Sequence, residues 1–193
     1  MKTKKTYFTS DLHFGHKNII AYDQRPFFSV EEMDRCLIKY WNDAVSNEDE
    51  VYILGDVSWY NARKTIEILN QLNGQKHLVI GNHDNIILKN SQCRSFFETI
   101  SPYVEKEILL NNGEKRKVIM SHYFIPLYNG HYKKSIMLHG HSHTTEECQE
   151  ELKIAKELNK QGFTNEIYNV GCMHWDYRPM SLDELIKNRQ IND

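Results

Sequence analysis

Five short apolar segments of this 193-residue chain are each followed at once by acids, amides or histidines. In order along the chain, the residues that follow them are Asp11 and His13, then Asp56, then Asn82, His83 and Asp84, then His122, and finally His141 and His143. A single Asp after a strand is usually a turn or cap residue, and a single His is more often hydrogen-bonded scaffold than a ligand. Five such clusters in register point instead to one shared site.

The chemistry of this site is predicted by its donor types. Open α/β sheets bind ligands beyond the carboxyl ends of their strands, so groups that follow five strands can converge. Histidines, carboxylates and one carboxamide, without sulfur, suit Mn, Fe, Co, Ni or Zn better than Ca or Mg. Seven candidate ligands among these nine residues are too many for one tetrahedral ion, so we expect two divalent ions that share a carboxylate. Gly55, Gly81 and Gly140 stand beside the ligands, where the backbone must turn sharply or approach an ion closely.

The elements that must position these groups alternate between short apolar runs and longer helical patterns, which predicts an α/β fold. Strands are predicted at 6–9, 50–54, 77–80, 104–110, 115–120, 135–138 and 167–170, and helices at 30–45, 62–72, from 144 to about 158, and after a capping box at 181–184. The turn sequence at 111–114 predicts an antiparallel hairpin. No linker or repeat interrupts the pattern, so residues 1–193 are expected to form a single domain.

Composition excludes several classes of protein. With 40% hydrophobic and 26% charged residues, 9 Gly and 4 Pro, the chain is neither disordered nor collagen-like. Its net charge of -2 offers no general attraction to nucleic acid or to an anionic membrane. No apolar stretch has the length of a signal peptide or membrane helix, so a cytoplasmic location is expected. The four cysteines form no Cys-x-x-Cys pair, and no P-loop sequence is present.

The clusters also resemble a known family. Asp11-x-His13, Gly55-Asp56, Gly81-Asn82-His83-Asp84, Ser121-His122 and Gly140-His141-x-His143 are similar to the five ordered signatures of the calcineurin-like metallophosphoesterases. The opening segment, 8–18, further resembles a small bacterial and phage branch with a single domain. The resemblance implies an α/β sandwich of two mixed β-sheets flanked by helices, with two ions held at the loops.

The resemblance also implies a role for each residue of the site. Asp11, His13 and His143 would hold the first ion, Asn82, His122 and His141 the second, and Asp56 would bridge them. His83 would contact the phosphoryl group and protonate the leaving oxygen, while Asp84 would orient His83. Two ions about 3.5 to 4 Å apart lower the pKa of a bridging water and hold the resulting hydroxide in line with phosphorus. No protein nucleophile is then needed.

Other polar residues near the clusters have weaker signals. His16 and Asn18 could either reach the pocket or begin a helix. His139 is expected to contact a metal ligand rather than the metal itself, and His174 is expected in a packed loop. Arg25, Arg63 and Lys133 could contact phosphate, but a solvated surface position is expected for each. His77 and His131 are given no role.

Aromatic residues adjoin several of the clusters. They are Trp59, Tyr60, Tyr123, Phe124, Tyr128 and Tyr132. They either stack on a nucleobase or pack in the core or a lid, and packing is the general expectation for aromatic side chains.

The leading hypothesis is therefore a hydrolase of phosphate esters with two divalent metal ions, acting as a phosphodiesterase or phosphomonoesterase on a small or nucleotide-like substrate. One alternative is a catalytically silent metal-binding scaffold of the same fold, which would be expected to lack His83 or several ligands. Another is a nuclease, against which the net charge and the lack of Lys/Arg-rich tracts both count. Long nucleic acid and membranes are accordingly not expected as partners.

Overall fold

The structure, a computed structural model, describes residues 4–163 and 166–192, and side chains as far as residue 188. Its strands are β1 (Thr6–Thr9), β2 (Glu50–Ile53), β3 (Gln75–Val79), β4 (Phe97–Ser101), β5 (Tyr103–Leu109), β6 (Lys115–Ser121), β7 (Ile136–His139), β8 (Glu166–Asn169) and β9 (Met180–Ser181). Its helices are α1 (Ile19–Tyr22), α2 (Val30–Ala44), α3 (Ala62–Leu69), α4 (Asn85–Lys89), α5 (Ser91–Arg94), α6 (Glu146–Lys160) and α7 (Leu182–Asn192). Two 3₁₀ turns lie at His131–Lys133 and Cys172–His174.

The strands form two mixed sheets. The first has the order β4-β3-β2-β1-β9, in which only β9 is antiparallel to its neighbour. The second has the order β5-β6-β7-β8, in which the predicted β5-β6 hairpin is antiparallel and the other pairs are parallel. The predicted fold class, α/β with two mixed sheets flanked by helices, is confirmed.

The two sheets pack face to face because their residues alternate between faces with a period of two. Phe8 of β1, Tyr52 of β2 and Val79 of β3 belong to one buried cluster together with residues of the second sheet. Those residues include Val118, Met120, Ile136, Leu138 and Tyr168. This cluster is the interior of the sandwich.

The opposite face of the first sheet packs against helices. Tyr7, Val51, Ile53 and Leu78 share a cluster with Met33, Leu37 and Trp41 of α2 and with Ile68 and Leu69 of α3. Strands buried on both faces appear in a sequence as short continuous apolar runs, which is why β1 to β3 were predictable.

The carboxyl ends of the strands meet at the seam between the sheets. β1, β2 and β3 run in parallel, and so do β6, β7 and β8, so each sheet presents its carboxyl ends at one edge. A parallel bridge between Ser10 and Gly171, with Cys172 N donating to Ser10 O at 2.9 Å, joins the end of β1 to the end of β8. Loops from both sheets therefore face one another.

Three segments were not predicted from the sequence: β4, the pair α4 and α5, and β9. β4 lies at the edge of its sheet and most of its residues are exposed or half-buried, so it carries little of the apolar pattern that marks a strand. β9 has two residues, and α4 and α5 have five and four, which is too short for periodicity to develop. In the described part of the chain, no helix is long and apolar enough to cross a membrane.

Candidate metal centre

The loops that carry the predicted ligands have an unusual backbone. Asp11, His13, Asp56, His141 and His143 have φ angles of 56°, 51°, 58°, 70° and 48°, in the left-handed region. L-residues seldom adopt this conformation, and where they do the surrounding structure must hold them in it. Five of the seven predicted ligands are thus held in strained conformations at one place in the fold.

Backbone hydrogen bonds between the loops hold them in this shape. Asp11 N donates to Gly55 O at 3.1 Å and His13 N donates to Asp56 O at 3.0 Å, so the loop after β1 is tied to the loop after β2. Gly140 N donates to His122 O at 3.0 Å and ties the loops after β6 and β7 in the same way.

Asp84 holds the loops after β2 and β3 together. Its carboxylate is fully buried and accepts hydrogen bonds from Gly81 N at 2.7 Å, Val57 N at 3.0 Å and Asp56 N at 3.1 Å. Among the described residues, no hydrogen bond joins it to the ring of His83. The carboxylate is thus directed at the backbone of these loops, and its orienting of His83 stays a prediction.

Glycine is needed where two of these loops meet the ligands. A Cβ on Gly81 would collide with the carboxylate of Asp56, and a Cβ on Gly140 would collide with the carboxylate of Asp11. The close approach predicted for these glycines is present in the fold.

The first group of ligand atoms comes from Asp11, His13 and His143, and all three atoms lie within 4.8 Å of one another. His13 Nε2 and His143 Nε2 are 3.2 Å apart, and His143 Nε2 lies 3.4 Å from Asp11 Oδ1. Asp11 Oδ1 is buried and has no hydrogen-bond partner among the described residues. Two ring nitrogens and a buried carboxylate oxygen that all point to one place fit a divalent cation.

The second group consists of Asp11, Asp56 and His122, again within 4.8 Å. His122 Nδ1 donates to Leu54 O at 2.7 Å, which leaves the lone pair on Nε2 for a ligand, since a carbonyl oxygen can only accept. His122 Nε2 lies 2.9 Å from Asn82 Oδ1. Asn82 and His122, both predicted for the second ion, are therefore adjacent.

Asp56, a member of the second group, also lies close to the first. Its Oδ2 atom is 3.6 Å from His13 Nε2 and 3.7 Å from His122 Nε2. Asp11 itself belongs to both groups, so two carboxylates, rather than one, are placed where ions could share them.

Among the described residues, His141 is the predicted histidine ligand that belongs to neither group. Its backbone N donates to Asp11 Oδ2 at 3.0 Å, while its ring lies 5.0 Å from the ring of His122 and 4.5 Å from that of Tyr123, measured between centroids. The structure thus places His141 beside the second group, with its ring against aromatic neighbours.

The ionisation of the first group favours a bound cation. Burial lowers the pKa of His13 to about 3, so this imidazole is neutral and can act as a ligand. Burial also opposes the charged form of His143, but Asp11 and Asp23 outweigh it and raise its pKa to about 9. Burial raises the pKa of Asp56, and the negative charge of Asp11 close by raises it further. The carboxylates thus favour positive charge at this point, and a metal ion would displace the proton of His143.

Asp23 was missed in the sequence, and Arg25 was considered there only as a phosphate contact or a solvated residue. His143 Nδ1 lies 2.9 Å from Asp23, and Arg25 donates to the same carboxylate at 2.9 and 3.0 Å. Arg25 also donates to the carbonyl oxygens of Asp11 at 2.9 Å and Leu12 at 3.0 Å, and it is only 4% exposed. The expected solvated position of Arg25 was therefore wrong. A carboxylate behind a ligating His fixes its tautomer and ring orientation.

His83, His16 and Trp59 form the rim of the centre. His83 is exposed, its backbone N donates to Asp56 Oδ1 at 2.9 Å, and its ring centroid lies 5.8 Å from that of His13. His16 stacks on Trp59 with ring centroids 4.2 Å apart. Of its two expected positions, it therefore occupies the one beside the site. Asn18 is exposed and caps α1 without a side-chain hydrogen bond.

The remaining histidines lie behind or away from the centre. His139 is buried behind the ligand loop, as expected, with Nδ1 3.0 Å from Gly140 O. His174 Nε2 donates to His143 O at 2.9 Å and so braces that loop. His77 stacks on Tyr52 at 4.4 Å, and the ring of His131 lies against Tyr132.

The aromatic residues divide between core and surface. Tyr128 is 3% exposed and donates to Ser135 O, so the packing expectation holds for it. Trp59, Tyr123 and Tyr132 are 48%, 50% and 68% exposed, so they do not lie in the core. Arg63 is exposed, as expected, and pairs with Glu67.

Comparison with known proteins identifies the class. The model of the calcineurin-like phosphoesterase family matches residues 4–189, and the chain belongs to that family. An uncharacterized protein of Methanocaldococcus jannaschii is 34% identical over 192 residues, which cover 97% of this chain and 92% of the relative.

Further relatives extend the comparison to phages and to a solved structure. The gene 66 protein of Mycobacterium phage L5 is 31% identical over 163 residues, covering 72% of this chain and 77% of its own. A crystal structure of a protein of unknown function from Aquifex aeolicus covers 98% of both chains, with 25% identity and a TM-score of 0.68.

The position of Asp56 predicts the behaviour of a variant. Asp56→Asn should weaken binding at both groups together, because a neutral amide offsets the repulsion between two cations less well than a carboxylate. His13→Ala should mainly weaken one of two binding events. Calorimetric titration with Mn²⁺ measures both variants. Wild-type affinity for both ions in Asp56→Asn would show that Asp56 does not lie between two metals.

The Arg25-Asp23-His143 chain gives a second prediction. Asp23→Asn should weaken metal binding by roughly 10- to 100-fold, because the amide holds the imidazole less firmly than the carboxylate does. Asp43→Asn is the matched control, since Asp43 is exposed and pairs with Lys39 across one helical turn. Calorimetric titration is run beside thermal denaturation. A variant that melts earlier but binds metal as tightly as wild type would give Asp23 a purely structural role.

Proposed function

We propose that the protein hydrolyses small phosphate esters with two divalent metal ions, as a phosphomonoesterase or phosphodiesterase. The observation that carries the proposal is the place of Asp56 Oδ2, at 3.6 and 3.7 Å from histidines of two different ligand groups. Membership of the calcineurin-like phosphoesterase family supports the reaction class.

The ligands would be divided between the ions as follows: Asp11, His13 and His143 at the first, Asn82, His122 and His141 at the second, and Asp56 between them. The donor set of imidazoles, carboxylates and one amide fits Mn, Fe, Co, Ni or Zn. When bound, such ions polarise phosphoryl oxygens and make water nucleophilic at neutral pH.

The chain itself would bind and orient the ester and supply a proton. His83 is exposed at the rim, and its backbone N is fixed to Asp56 Oδ1, so the imidazole is held beside the centre without entering either ligand group. In this position it can donate a proton to the leaving oxygen, which is the step that an alkoxide leaving group requires.

The alternatives fit the observations less well. A silent scaffold would not need the exposed imidazole of His83 beside an intact ligand set. A nuclease acting on long chains would need a positive surface for the phosphate backbone, whereas the chain has a net charge of -2. A small, nucleotide-like phosphoester is therefore the proposed partner.

Metal content tests the proposal directly. The purified protein, loaded with Mn²⁺ and desalted, should retain about two ions per chain, because its ligands exceed what one tetrahedral ion can use. Elemental analysis gives the stoichiometry, and a panel of monoesters and diesters with Mn²⁺, Ni²⁺, Co²⁺, Zn²⁺ and Mg²⁺ gives the activity. One ion at saturation, or no metal-dependent hydrolysis of any ester, would contradict the proposal.

His83 separates catalysis from metal binding. His83→Ala should retain both ions and lose about 10²- to 10⁴-fold in kcat on an alkyl phosphoester, because the alkoxide then leaves without a proton. It should lose less on a 4-nitrophenyl ester, whose leaving group needs little protonation. His131→Ala is the control, since that ring lies against Tyr132 and Phe163 instead. An equal loss on both esters would mean that His83 binds the phosphoryl group without donating a proton.

A further inference from the structure

A cavity of about 390 Å³ opens directly beside His83. It is lined by Ser58, Trp59, Tyr60, Asn82, His83, Asn85, Ile86 and Lys89. Two of these residues, Asn82 and His83, also belong to the proposed centre, so the cavity is continuous with it. Its volume lies within the range of small-molecule sites, which is about 300 to 1,000 Å³.

Trp59 supplies an aromatic wall that is already held in place. Its backbone N donates to Phe14 O at 2.8 Å, and His16 stacks on its ring with an interplanar angle of 12°. His83 lies 4.5 Å from the same ring, measured between centroids. With these two histidines against its ring, Trp59 is still 48% exposed and lines the cavity, so part of its side chain is available there.

The charge of the residues that line the cavity indicates which chemical group it would bind. An exposed indole binds either the face of a nucleobase or a quaternary ammonium group. Lys89 is a cation, and among the described residues that line the cavity there is no Asp or Glu. A cationic group would therefore meet repulsion without a counter-charge. A neutral base would instead find a ring to stack on and the side-chain amide of Asn85 as a hydrogen-bonding partner.

We propose that this cavity is the leaving-group subsite and that the substrate is a phosphate ester of a nucleoside, whose base stacks on Trp59. The inference rests on the proposed function, because the group that accepts a proton from His83 must leave on the side of His83. Trp59 would determine which substrate binds and would take no part in bond cleavage.

Paired substrates test the subsite. Adenosine 5′-monophosphate and methyl riboside 5-phosphate release the same kind of sugar alkoxide and differ only in the base. Their methyl diesters form a second pair, with the released nucleoside or riboside measured by chromatography. The esters that carry the base should have a kcat/KM roughly 10-fold or more higher, because stacking on an aromatic side chain typically contributes about 1 to 3 kcal/mol per base. Phosphocholine, which tests the cationic alternative, should be a poor substrate.

Variants assign the preference to the indole. Trp59→Ala should bring the ratio of the two kcat/KM values close to one, and Trp59→Phe should keep part of it. Tyr123→Ala is the matched control, because Tyr123 is equally exposed, at 50%, but contacts the rings of His122 and His141. It should leave the ratio as in wild type whatever it does to the absolute rate. An unchanged ratio in Trp59→Ala, or a preference for phosphocholine, would overturn the proposal.

A binding measurement keeps the subsite separate from catalysis. Adenosine should bind the metal-free protein in a calorimetric titration, whereas methyl riboside should not, and Trp59→Ala should lose the binding. Hydrolysis of esters without any effect of the base would overturn the subsite and leave the phosphoesterase intact. Binding of adenosine that depends on Trp59, in a protein that hydrolyses no ester, would overturn the phosphoesterase and leave the subsite.

Discussion

The buried carboxylate of Asp84 is the interaction on which the geometry of the site depends. It accepts hydrogen bonds from Gly81, Asp56 and Val57, and so joins the loop after β2 to the loop after β3. Burying a carboxylate away from solvent costs free energy unless its oxygens accept hydrogen bonds. Backbone amides of the two loops supply these bonds, and the loops are thereby held in place. Asp56, Asn82 and His83 are positioned as a consequence.

The strained backbone at the ligands is likewise held by contacts between loops. Asp11, Asp56 and His143 adopt left-handed conformations that would relax in an isolated loop. Hydrogen bonds between loops, the buried Arg25 and the parallel bridge between β1 and β8 oppose that relaxation. The free energy for this arrangement comes from the two apolar clusters that flank the first sheet, and the site uses part of that stability to hold charged groups close together.

The position of the centre at the seam explains why both sheets are needed. Asp11, Asp56 and Asn82 follow strands of the first sheet, whereas His122 and His143 come from loops of the second. The rim is divided in the same way, with Trp59 on the side of His83 and Tyr123 on the side of His141. A substrate at the centre would therefore meet a different aromatic wall on each side, and the wall at Trp59 adjoins the cavity beside the proposed acid.

The sequence by itself determined the fold class, most of the strands and the acids and histidines of the two candidate ligand groups. These features are local: a strand buried on both faces is a short apolar run, and its ligands follow within a few residues. Edge strand β4 and the short helices α4 and α5 had too little apolar pattern to be recognised.

Only the tertiary structure decided which groups meet. Asp23 reaches His143 across 120 positions, Arg25 is buried because it caps the carbonyl oxygens of Asp11 and Leu12, and Asp84 binds amides of the loop after β2. The exposure of the Trp59 side chain was likewise decided by the tertiary structure. Contacts between residues far apart in the chain leave no periodicity or spacing in a single sequence, because they arise from the packing of one loop on another.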